Sequence, residues 1–237
     1  MPDVATIYRL TKKKPDLVWN EYVCRPLGAV VVALVQETRI TPNQVTLASL
    51  VVAGLSVGIL VGIPGWAGLV LAAVVFELSY VLDCADGMLA RLRNLQSTQG
   101  HLFDFLIDEL KAFAVLGACS VRLWAERGYD AGYLLVGIVG LVAVASGIAL
   151  TTFVRRPEIV GPSAGMPAGS VTAPRSPFAV IVGAVERVAK FVIHYPSYFL
   201  FVALSGRLEF YLFPYVAVNA LYAARALLQV ALRFGRA

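Results

Sequence analysis

From Val45 to Ile63 the chain carries no charged residue, and after the break at Pro64-Gly65 it returns to stretches of the same kind, notably Ala131 to Val154. About twenty helical residues, at about 1.5 Å each, cross the hydrocarbon of a bilayer, and helices satisfy their backbone groups there without water. Composition points the same way. Of 237 residues 59% are hydrophobic and 15% charged, with mean hydropathy +0.75, too little polar surface for a soluble domain of this length.

The punctuation of the apolar runs predicts an all-α fold, a six-transmembrane-helix bundle with an N-terminal interfacial amphipathic helix. The spans run over Val45–Ile63, from Trp66 past Asp86, from Gly100 to Trp124, over Ala131–Val154, over Phe178–Leu204 and over Phe210–Leu232. Thr41-Pro42-Asn43 is a helix start for the first, and Ser97 or Thr98 is placed to cap the third. Residues 1–14 read as a short cytoplasmic tail. Residues 16–37 read as an amphipathic helix bent at Pro26, because the clean apolar run Leu27–Val35 is too short to span. The division is thus 1–40, tail and juxtamembrane helix, and 41–237, the six-helix domain. Residues 157–177, rich in Pro, Gly and Ser, read as a loop.

The net charge of +5 does not imply nucleic acid, since Lys and Arg stand at the ends of apolar runs rather than in a stripe with aromatics. Six crossings put both termini on one side, and basic clusters at 12–14, 91–93, 155–156, 187–190 and 233–236 fall there. The positive-inside rule makes that side cytoplasmic, in the cytoplasmic membrane. No removed signal peptide is expected. Cys24, Cys84 and Cys119 are odd in number and lack C-x-x-C spacing, so they indicate neither a disulfide framework nor a zinc site, and Cys84 reads as a packing residue.

Into this apolar background Asp83, Asp86, Asp104 and Asp108 arrive at fixed spacing, i, i+3 and then i, i+4, so each pair projects from one helix face. Around them stands D-x-x-D-G-x-x-A-R, then G-x-x-x-D-x-x-x-D, with Gly87, Ala90, Arg91 and Gly100 at the other fixed positions. Converging carboxylates at a membrane boundary repel one another and lose hydration. Magnesium or manganese relieves both, and a pair of such ions suits displacement at phosphorus in a pyrophosphate-linked donor.

At these residues the chain resembles the CDP-alcohol phosphotransferase family of integral membrane enzymes. The resemblance implies that two Mg2+ or Mn2+ ions are held by Asp83, Asp86, Asp104 and Asp108, with Asp108 also the general base. It places Gly87, Ala90 and Gly100 against the nucleotide, with Ser97 reaching the donor. Asn43, Gln44, Val45 and Thr46 match the family's P-N-x-V-T element, which contributes to the nucleotide pocket. Arg91 either binds phosphate or braces an aspartate.

What the resemblance implies is transfer of a substituted phosphate from a CDP-alcohol to the hydroxyl of a small acceptor alcohol, releasing CMP, in phospholipid synthesis by a homodimer. CDP-diacylglycerol is the favoured donor. A headgroup-CDP donor with diacylglycerol acceptor is the alternative, since His101-Leu102-Phe103-Asp104 is faintly similar to choline and ethanolamine transferases. A cation transporter would spread its acids through the membrane depth. Arg155, Arg156 and Arg225 are the cations for a phosphate on the acceptor, or else they reach to lipid headgroups. Glu77 and Lys111, deeper on adjacent helices, are expected to pair. His194 reads as an interior residue.

Overall fold

The computed structural model describes residues 2–13, 18–154 and 196–234, and these are helical apart from caps and turns, with no strand among them. Helix α1 (Val4–Thr11) is capped by Asp3, whose carboxylate accepts the Thr6 N–H at 3.1 Å. The segment that reads as a tail is therefore a helix, with Ile7 and Thr11 buried. A π-helical turn (Asn20–Cys24) then runs directly into α2 (Arg25–Val35). Pro26 accounts for the widening: its ring cannot lie against the carbonyl four residues back, and the Arg25 N–H reaches Asn20 O instead.

Helix α3 (Pro42–Gly62) starts on a complete capping box, with Thr41 Oγ1 accepting the Gln44 N–H and Gln44 Oε1 accepting the Thr41 N–H. It is followed by α4 (Gly65–Leu92), α5 (Thr98–Glu126), α6 (Ala131–Val154), α7 (Pro196–Ser205) and α8 (Glu209–Phe234). Among the described residues, four helices, α3, α4, α6 and α8, are long and apolar enough to cross a membrane. Helix α5 has 29 residues but carries Asp104, Asp108, Glu109 and Lys111 in its first half. Of the expected span over 178–204, only the part from 196 lies among the described residues.

Small residues set the helix spacing. A Cβ on Gly137 would lie 2.2 Å from Ser120 Oγ of α5, and one on Gly140 2.6 Å from Val216 Cγ2 of α8, so α6 can approach both neighbours only with glycine there. Hydroxyl bonds lace α3 to α4: Ser56 Oγ donates to Ala72 O at 2.7 Å, and Ser79 Oγ to Ser49 O at 2.8 Å. One buried cluster joins α3 to α8 through Leu60, Leu69, Leu116, Phe199 and Leu212. A second joins the N-terminal helices to α3 and the end of α4 through Ile7, Ala29, Val32, Val45, Met88 and Leu89.

Two arginines fasten the helix ends. At the α3–α4 turn, buried Arg122 donates to the carbonyls of Leu60, Ile63 and Gly65 at 2.8, 3.0 and 2.6 Å and pairs with Glu126 at 2.8 Å. After α4, Arg93 donates to Val35 O, Gln36 O, Thr38 O and Ile40 O at 2.8, 3.0, 2.9 and 2.5 Å. The carbonyls of Val35 and Gln36 at the end of α2 are thereby satisfied, and the turn between α2 and α3 is held to the aspartate-bearing end of α4.

Candidate active site

Helices α4 and α5 are joined by a short turn in which Asn94 takes a left-handed conformation, φ 55°, and Ser97 caps α5 by accepting the Gly100 N–H at 3.0 Å. The reversal sets the two aspartate-bearing faces side by side. Carboxylate oxygens of Asp83, Asp104 and Asp108 lie within 4.8 Å of one another. Asp86 is outside that group: it is buried, and its carboxylate accepts a hydrogen bond from the Thr46 hydroxyl of α3. Thr46 Oγ1 is also 3.2 Å from Pro42 O, which fixes the hydroxyl on the first turn of α3.

Beneath the aspartates lies a cation that sequence reading pairs elsewhere. Lys111 Nζ is 2.5 Å from Asp83 Oδ1 and 3.2 Å from Asp108 Oδ1. The expected Glu77–Lys111 pair is not formed. Glu77 instead accepts from Trp19 Nε1 at 3.1 Å, because its side chain faces the π-helical turn rather than α5. The i, i+3 spacing of Asp108 and Lys111 carried the signal for the observed pair.

Three hard oxygen donors in contact range fit a magnesium or manganese ion, and Asp104 Oδ1 is buried with no hydrogen-bond partner among the described residues, as a ligand oxygen would be. The donor set suits the divalent metals that the resemblance implies.

The residues expected to meet the nucleotide divide by what already engages them. A Cβ on Gly100 would lie 3.1 Å from Ser97 Oγ and 3.7 Å from Asn43 Oδ1, so Asn43, Ser97 and Gly100 adjoin one another between α3 and α5. Gln44 spends its side-chain oxygen on the capping box, and Val45 is buried in the second cluster. Gly87 lies under the Arg91 guanidinium, with a Cβ there 3.5 Å from Nη1, and Ala90 is half-buried on the next turn of α4. Arg91 Nε donates to Thr11 O at 2.9 Å, so the C-terminal end of α1 orients this guanidinium. Helix α1 is in turn held by Tyr8, which donates to Glu21 O at 3.1 Å, and by the Lys12–Glu21 pair, whose hydrogen bond raises Lys12 above the usual lysine range.

Of the acceptor candidates, Arg225 lines a groove of about 390 Å³ between α6 and α8, together with Thr151, Tyr222 and Gln229. Arg155, Arg156 and His194, like the loop over 157–177, lie outside the described residues. Cys24 and Cys119 are buried and Cys84 half-buried, all as free thiols.

The chain is 34% identical over 116 residues to a phosphatidylinositol phosphate synthase of Corynebacterium glutamicum, covering 49% of this chain and 51% of that protein. It is 33% identical over 106 residues to a bifunctional IPC transferase and DIPP synthase of Rubrobacter xylanophilus, covering 42% of this chain and 23% of that one. The chain thus spans about half the length, or less, of the curated relatives it matches. The family model for CDP-alcohol phosphatidyltransferase matches residues 39–204, the stretch that holds all four aspartates, and the chain belongs to that family.

Proposed function

We propose that this protein transfers a substituted phosphate, phosphatidyl from CDP-diacylglycerol, to the hydroxyl of an acceptor alcohol and releases CMP. The observation that carries this reading is the convergence of Asp83, Asp104 and Asp108 from two helices inside the family match. Two divalent ions held by these three residues and Asp86 would neutralise the pyrophosphate and stabilise the leaving phosphate of CMP.

The chain's own groups do the rest. The acceptor oxygen forms a bond to the phosphorus that carries the diacylglycerol, and the bond from that phosphorus to the CMP phosphate oxygen breaks. The hydroxyl proton passes to Asp108, whose side chain is 47% exposed and so within reach of an acceptor. Asn43, Ser97 and Gly100 flank the nucleotide, and Arg91, oriented by α1, reaches a donor phosphate or braces an aspartate.

A phosphorylated polyol such as inositol phosphate is the leading acceptor, supported by the name of the Corynebacterium glutamicum relative and by Arg225 in the α6–α8 groove. The same reading takes the chain as a six-span homodimer in the cytoplasmic membrane, aspartates and both termini facing the cytoplasm. Four helices of spanning length among the described residues support the membrane crossing and the basic clusters support the orientation, while the homodimer is what the family resemblance implies.

The experiment is a donor and acceptor panel. Purified protein with Mn2+ is given radiolabelled CDP-diacylglycerol and, in turn, inositol phosphate, inositol, glycerol phosphate and serine, and CMP release is followed. Turnover with a polyol phosphate is expected. Turnover only of CDP-choline or CDP-ethanolamine with diacylglycerol overturns the donor assignment.

A further inference from the structure

Lys111 is a fixed cation buried under the aspartates. Its side chain is 5% exposed, against 12% for Asp83 and 47% for Asp108, so the charges form a column that opens to solvent at Asp108. Both ammonium contacts go to carboxylates expected to hold ions, one on α4 and one on α5.

That placement has two opposing effects on a divalent cation. The ammonium keeps the two carboxylates turned toward each other, so an arriving ion meets a preformed set of oxygens. It also occupies one oxygen of each, and its charge repels the ion where solvent screens poorly. Freeing two short side chains costs little order, whereas a unit charge at contact distance acts strongly on a dication. The repulsion is the larger effect.

We propose that Lys111 is a positioning residue that sets the strength of metal binding, competing with the divalent cation for Asp83 and Asp108 so that the ion stays exchangeable. The inference rests on the metal reading above, and its test separates the two. Full-length protein in detergent is titrated with Mn2+, and free Mn2+ is read from its paramagnetic resonance signal, with no substrate present. Lys111→Met removes the ammonium and keeps most of the stem; its Mn2+ dissociation constant is expected to be smaller by about tenfold or more. Lys111→Arg keeps the charge and is expected within about threefold of wild type.

An unchanged or larger constant in K111M, with wild type binding Mn2+, overturns the role given to Lys111 and leaves the metal reading standing. Failure of wild type itself to bind overturns the metal reading. Where K111M does not fold, K111Q carries the same expectation. Where neither neutral variant folds alone, recovery by Mn2+ added at solubilisation supports the inference and absence of recovery overturns it.

Discussion

Thr46 and Asp86 are joined by a hydrogen bond between helices α3 and α4, the hydroxyl of one donating to the buried carboxylate of the other. The P-N-x-V-T element is thereby coupled to the aspartate signature by contact as well as by family. Thr46→Val keeps the shape and removes the donor. A hydrogen bond to a charged group contributes about 1.5–3 kcal/mol, so the variant is expected to unfold at lower temperature in detergent, and Thr46→Ser to recover most of the loss. Turnover should fall about tenfold, because Asp86 loses the group that orients it.

Arg91 reaches past Gly87 to the last turn of α1. Arg91→Ala should raise KM for the CDP-alcohol at least about tenfold, a loss of binding of about 1.4 kcal/mol or more. Arg91→Lys should recover little, since an ammonium cannot hold the Thr11 carbonyl and a second partner in one plane. Donor concentration series on both variants check this.

Arg122 serves stability rather than chemistry. Its guanidinium holds three backbone carbonyls and Glu126 at the α3–α4 turn, so Arg122→Ala leaves the buried Leu60 carbonyl and the half-buried Ile63 and Gly65 carbonyls without this donor. At about 1–3 kcal/mol for the buried group left unsatisfied and less for the half-exposed ones, the loss should be about 2–3 kcal/mol. Thermal unfolding measures it, and KM for the donor in the folded fraction should stay at the wild-type value.

The Lys12–Glu21 pair fastens α1 in a pH-dependent way. Lys12 is raised above 10.5 by the Glu21 hydrogen bond, so its contribution is complete below pH 10.5 and is lost as pH climbs through the higher folded-state value. The difference in unfolding temperature between wild type and Lys12→Gln should therefore be constant from neutral pH to about 10 and shrink above it. A scan of unfolding temperature against pH reads this directly.

Local chemistry made much of the fold legible. The capping signals at Thr41 and Ser97 fell where α3 and α5 begin, and α6 begins at Ala131, where its apolar run starts. What escaped depends on how helices rotate against each other. Glu77 is half-buried and Lys111 buried, but Glu77 faces Trp19 while Lys111 faces the aspartates, and periodicity does not report that azimuth. Arg93 and Arg122 escaped for another reason: both bind backbone carbonyls, which have no side-chain signature. Helix α1 escaped because eight residues with mixed polarity owe their order to tertiary packing, here Ile7 against α2 and α4.

The account stands most directly on Asp108, the exposed carboxylate at the mouth of the cluster. The decisive measurement is CMP release from CDP-diacylglycerol by wild type and Asp108→Asn across a Mn2+ titration, with donor binding followed in parallel. Release should require both the metal and the acceptor, and the variant should bind donor while turning over about a thousandfold or more slower. Release that persists in excess chelator, or a variant within about tenfold of wild type, contradicts the account.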